Sequence, residues 1–223
     1  PVPEDPTPES PSSSVSPDDD APDGTFFDHE LSVTVDGGRT LTLVAHCKET
    51  AMEGFSTYGT GTIDVLDGEE LLQTLNVGEG VLTLEETPAA SSAEVYPTVF
   101  ESFYLPTVED LNFDGAQDIR LMESQGNVNG RYLCWLWDTA QGRFIQTVTL
   151  VGYDIQADPQ TRQVTVESRN GGGIYDTDIY APDETGALVH VKNIHQEADP
   201  SGSGNGFQTT VSEWQNGQWV TVS

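Results

Sequence analysis

From Phe26 to the C-terminus the chain is a succession of short runs in which apolar and polar residues alternate. ELSVTV (30–35), RTLTLVAHC (39–47), GTIDVL (61–66), LLQTLNV (71–77), VLTLEE (81–86) and ESFYL (101–105) come first. DIRLM (118–122), RYLCWLWD (131–138), RFIQTVTL (143–150) and QVTVES (163–168) follow. IYDTDIY (174–180), ALVHVKN (187–193), FQTTVSEW (207–214) and QWVTVS (218–223) complete the set. A period of two, carried by β-branched and aromatic residues, predicts half-buried strands. No stretch keeps a helical period over a window of about eleven residues. Only ETPAASSAEVYP (86–97) has room for one helical turn. The predicted class is all-β.

Glycine-containing polar turns separate the runs, and several hairpins share one form. WDTAQGRFIQ (137–146), YAPDETGALVH (180–190) and EWQNGQWVTV (213–222) each read strand, polar turn ending at Gly, then apolar strand. IDVLDGEELLQTL (63–75) is an earlier copy of the pattern. Hairpins recurring every ~40 residues are what a β-propeller produces, and the length leaves room for about five blades. A β-sandwich of meandering hairpins uses the same ingredients and stands as the alternative.

Residues 1–24, PVPEDPTPESPSSSVSPDDDAPDG, have a different texture: seven acidic side chains, no basic one and almost nothing large and apolar. Such a composition cannot bury enough surface to offset its ordering entropy. It is expected to be a disordered, extended linker or tether, ahead of a single domain over 25–223. The chain starts without Met, so we expect it to be processed from a precursor, with a lipid-anchored exported protein as the fitting case.

Charge narrows the partners. Thirty-seven acidic residues face eight basic ones, for a formal net charge of −29. That field repels phosphate backbones and anionic lipid, which argues against nucleic acid, and it favours divalent cations and basic proteins. No run reaches the ~18 apolar residues of a membrane span. Cys47 and Cys134 are too few for a disulfide framework; one bridge or two small buried thiols are both open. The four histidines, His29, His46, His190 and His195, follow no metal-binding spacing, and His46 and His190 alternate within strands as structural positions. No nucleophile elbow is present, and SRNGGGIYD (168–176) lacks the Lys and the helix of a phosphate loop, so it reads as a turn. No enzyme is expected.

One motif carries chemistry. EDLNFDGAQDI (109–119) places Asp110, Asn112, Asp114, Gly115 and Asp118 in the spacing D-x-N-x-D-G-x-x-D. Side-chain oxygens at the first, third and fifth positions converge if the backbone curls, and glycine at the sixth permits the reversal. The carbonyl of Ala116 and the carboxylate of Asp118 complete an oxygen set suited to Ca²⁺ rather than Zn²⁺. An EF-hand would need Glu at the twelfth position and helices on both sides; Leu121 and strand-like flanks stand there instead. A plain Asx-rich turn would use the same residue types.

DLNFDGAQDIRLM, then GNVNGRYLCWLWD, then GRFIQ resembles a family of bacterial exported β-propeller proteins with FG-GAP/VCBS-like calcium-loop repeats. The resemblance covers roughly residues 60–222. It implies a five-bladed propeller with one calcium, exported to the envelope or beyond. Some relatives are described as inhibitors of lysozyme-like hydrolases, which implies a basic envelope hydrolase as partner.

Aromatics offer a second lead. Trp135 and Trp137 lie two apart and so project to one sheet face, as core residues do. Trp214, Trp219 and Tyr175 are the candidate exposed rings for stacking on a sugar or a partner's cation. The expected function is a non-catalytic, calcium-binding exported module that docks a protein; a carbohydrate-binding module at the cell surface is the alternative.

Overall fold

In the computed structural model, which describes residues 25–52, 55–77, 105–198 and 206–223, the alternating runs are strands. β1 (Thr25–Val35), β2 (Arg39–Met52), β3 (Phe55–Asp67) and β4 (Glu70–Asn76) form one antiparallel sheet. β5 (Thr107–Glu109), β6 (Asp118–Gln125), β7 (Gly130–Asp138) and β8 (Arg143–Gly152) form a second. The third holds six strands: β9 (Asp154–Asp158), β10 (Gln163–Arg169), β11 (Ile174–Pro182), β12 (Leu188–Ala198), β13 (Phe207–Gln215) and β14 (Gln218–Thr221). In every sheet, neighbours in sequence are neighbours in space, and no sheet closes into a barrel. No helix occurs among the described residues. The fold is all-β. The tether expected over 1–24, the strand over 81–86 and the helical turn over 86–97 lie outside the described residues, as do residues 101–104 of the strand expected over 101–105.

The four hairpins that shared a form are all present, and each turn glycine (Gly68, Gly142, Gly186, Gly217) has the positive φ that the reversal needs. β5 and β9 are the strands that the pattern did not announce. β5 is only three residues long, and DIQAD of β9 is mostly polar.

Burial follows the alternation and then departs from it. Leu41, Leu43 and Ala45 of β2 pack with Val33, Val35, Ile63 and Val65 on one face of the first sheet. Against them stand Ile119, Leu121, Leu133, Trp135, Trp137 and Phe144 of the second sheet. Trp135 and Trp137 are core, as expected, and Trp137 meets Phe144 edge to face at 5.0 Å. The intervening residues Cys134 and Leu136 point the other way, into a second cluster with Leu150, Val164, Val166 and Leu188 of the second and third sheets. The second sheet is therefore the middle layer, buried on both faces. That explains why LCWLW reads as an unbroken apolar run. Cys47 and Cys134 fall in different clusters and are both free; burial holds the Cys47 thiol's pKa up and pushes that of Cys134 to about 12.

Side-chain amides lock the layers together. Gln73 of β4 donates to the Phe144 carbonyl (2.8 Å) and accepts from the Phe144 N–H (2.9 Å), so it pairs with the edge of β8 as a strand would. Asn129 does the same for the backbone of Arg169, joining the second sheet to the third at 3.1 and 3.0 Å. At Gly152 the backbones approach so closely that a Cβ would sit 2.4 Å from the Glu167 carbonyl oxygen. We expect Gln73→Leu to lower unfolding free energy by about 1–3 kcal/mol, since it strands two buried backbone groups. Urea denaturation checks this; an unchanged midpoint would mean that the pairing carries no stability.

The outer face of the first sheet is polar. His46 lies between Asp28 (Nδ1, 2.8 Å) and Asp64 (Nε2, 3.1 Å), and Thr74 donates to Asp64. Burial alone would push its pKa down, but the hydrogen bonds and charges of Asp64 and Asp28 together raise it. A raised folded pKa gives stability that is full below the unfolded value near 6.5 and lost as pH climbs through the folded value. His46→Gln should therefore weaken the fold at about pH 5.5, by at most about 1 kcal/mol for so exposed a group, and leave it unchanged at about pH 8.5. Melting curves at the two pH values read the difference.

Candidate metal centre

The segment between β5 and β6 curls because its own side chains hydrogen-bond its backbone. Asp110 accepts from the N–H of Asp114 (3.1 Å) and of Gly115 (3.0 Å). Asn112 Oδ1 accepts from the same Asp114 N–H at 3.3 Å, and Asp114 accepts from Ala116 N–H at 2.8 Å. These Asx turns bring the oxygens of Asp110 and Asn112 to one donor. Phe113 has φ of 60° and Gly115 φ of 95°, the two reversals that close the curl.

Asp118 ends the loop and starts β6. Its side chain is fully buried, with Oδ2 accepting from Leu111 N–H (2.8 Å) and Oδ1 from Trp137 N–H (2.9 Å). Burial pushes its pKa to about 7; the two backbone donors pull down, while Asp114 and Asp110 push up further. No cationic side chain among the described residues forms an ion pair with it.

The loop also touches every sheet. Gln117 accepts from Thr34 N–H through its side chain and donates to the Thr34 carbonyl from its backbone, both at 2.8 Å, which caps the edge of β1. Asn112 Nδ2 donates to the Gly186 carbonyl in the β11–β12 turn at 3.1 Å. Nearby, Trp137 Nε1 donates to Asp36 Oδ1 at 2.8 Å. Ala116 belongs to the first core cluster and Leu111 to the second. The contacts made by Leu111 and by the Gln117 and Asn112 amides are ones that the oxygen motif alone does not announce.

Among the described residues no group of three or more His, Cys, Asp or Glu side chains is gathered as a metal centre. The donor set still fits a hard cation. Asp110, Asn112, Asp114 and Asp118 are all oxygen donors of one short loop, two of the oxygens share a single N–H, and the buried carboxylate has no cationic partner among the described residues.

The candidate aromatic residues divide. Trp214 and Trp219 are directly opposed across β13 and β14, with rings 5.6 Å apart, and both are exposed. His190 continues the row from Trp219 (4.6 Å) to Tyr180 (4.8 Å). Tyr175 lies on the opposite face, against Phe207 and beneath the Arg169 guanidinium. Beside the tryptophan row runs a polar network: His195 with Asp176 at 2.7 Å, His190 with Asp178 at 2.9 Å, and Asn193 with both carboxylates. The D-x-D spacing of IYDTDIY was its signal, since a period of two puts Asp176 and Asp178 on one face.

No protein-family model matches the chain, and no curated protein matches it. Among solved structures, the one titled "Structure of a Xanthomonas Type IV Secretion System related protein" is similar, with a TM-score of 0.43 and 15% identity over 87% of this chain and 93% of that one.

Gly115→Ala should cost about 1–3 kcal/mol through backbone strain alone, because a Cβ there would meet nothing. Gly172→Ala, equally open and without a positive φ, is the matched control expected to cost little. Equal losses in urea denaturation would remove the reversal at Gly115 from the account.

Proposed function

We propose that the protein is a non-catalytic, calcium-binding exported module, and that the loop Asp110–Asp118 holds the ion. The buried carboxylate of Asp118, held by two backbone N–H groups and without a cationic partner among the described residues, carries this reading. A desolvated carboxylate flanked by two others needs either a proton or a cation, and calcium answers all three at once. Asp110, Asn112, Asp114 and Asp118 would hold the ion by their side chains and Ala116 by its carbonyl. The ion's contribution is structural: it stiffens a loop that three sheets share.

Open antiparallel meanders stacked in sequence order, with the middle one covered on both faces, support a propeller-like arrangement of blades. The acidic surface supports a basic protein, such as an envelope hydrolase, as the partner at the cell surface or in the periplasm. The exposed Trp214–Trp219 pair beside Asp176, Asp178 and Asn193 supports a second reading, a carbohydrate-binding module, because rings stack on sugars while amides and carboxylates bind hydroxyls. Salt separates the two: protein docking by charge fades as salt rises, whereas ring stacking does not.

Calcium at about a hundred times its Kd should stabilise the fold by about 2.7 kcal/mol, raising the melting temperature by roughly 5–10 °C over chelator. Asp114→Ala should melt at the chelated value with or without the ion. Identical melting of the unaltered protein in millimolar calcium and in chelator would sink the metal assignment.

A further inference from the structure

The second and third sheets meet again at the far end of β7, around a cleft of about 630 Å³. Its walls are Ser124, the 126–129 turn, Arg131, Val151, Arg169 and the glycines Gly171 and Gly172. In a chain with 37 acidic residues and 8 basic ones, this lining holds two arginines and no Asp or Glu. We propose that the cleft binds a small polar ligand through a single carboxylate.

The charges set that number. Arg131 is paired with Glu123, whose side chain is almost buried, so this guanidinium is fixed in place and its charge is balanced. Arg169 has no carboxylate partner among the described residues; its cation lies 5.7 Å from the Tyr175 ring centre, which orients it without neutralising it. One net positive charge remains, and a monoanion matches it. A guanidinium offers a planar fork that fits a carboxylate through two parallel hydrogen bonds.

The frame is preorganised. Asn129 clasps the Arg169 backbone from the opposite wall, which fixes the separation of the two sheets at the cleft. Gly171 and Gly172 have no side chain to shield their backbone, and a Cβ on Gly172 would meet nothing. Both therefore present bare backbone to the cleft, where an anion can approach closely. Ser124 and Asn127 supply polar contacts for the ligand's body. The protein's overall negative field does not forbid this, because at physiological salt charges beyond about 8 Å are largely screened.

The carboxylate could belong to an acidic sugar or to a peptide C-terminus, and the probes separate these sources. The full chain is titrated, with amide NMR shifts at Gly171 and Gly172 as readout, against galacturonic acid, its neutral counterpart galactose, N-acetyl-trialanine and N-acetyl-trialanine amide. Saturable shifts with one carboxylated probe, at least tenfold weaker with its neutral counterpart and lost in Arg169→Gln, are the expected result and name the source. Arg169 is exposed and forms no ion pair among the described residues, so this substitution should leave the fold intact; Arg169→Lys should retain part of the affinity. No binding by either acid, equal binding by the neutral probes, or full affinity in Arg169→Gln would overturn the proposal.

Discussion

The fold depends most on a carboxylate that costs energy to bury. Asp118 has no solvent contact, and its burial outweighs the two backbone donors that favour the charged form, which holds its pKa up at about 7. What it returns is position. Leu111 N–H and Trp137 N–H belong to the loop and to β7, so one side chain ties the curl to the middle sheet. Through Gln117 and Asn112 the same curl reaches β1 and the β11–β12 turn. Remove the carboxylate and three sheets lose their common point.

Hydrophobic burial alone would not set this arrangement. It is non-directional, and an apolar face does not by itself fix the register of the sheet that covers it. Planar amides supply the missing direction. Gln73, Gln117 and Asn129 each bond the backbone of another sheet, at Phe144, Thr34 and Arg169 respectively. Two of these lie on edge strands, β8 and β1, where unpaired N–H and C=O groups would otherwise invite a second chain. Register between layers and protection of edges are one device here.

Local pattern made the strands legible, and distance hid the rest. RTLTLVAHC could be read because its alternation records which face is wet. β9 could not, because DIQAD has little apolar content and exists by pairing with β10. The oxygen loop was visible because its residues lie within nine positions and curl by local hydrogen bonds. Its partners Thr34 and Gly186 are 83 and 74 residues away from Gln117 and Asn112, and no periodicity marks them. The three candidate rings fall on two faces for the same reason. Trp214 and Trp219 share a hairpin and so a face, whereas Tyr175 belongs to another strand and its odd position turns it to the other side.

The oxygen loop and the arginine cleft stand at opposite ends of β7, about 20 Å apart by strand rise. Both arise where the middle sheet meets a neighbour, and this follows from the architecture. Within a meander, side chains on one face come from adjacent strands and project in parallel, so they rarely converge on one small group. Convergence needs walls that face each other, and here only sheet junctions provide them. At one junction the sequence places oxygens around a buried carboxylate; at the other it places guanidinium groups and bare backbone. Opposite signs at two ends of one strand require that each site be insulated from the net charge by salt and by its own neighbours. Arg120 of β6 with Glu109 of β5, and Arg131 of β7 with Glu123 of β6, provide that pairing locally.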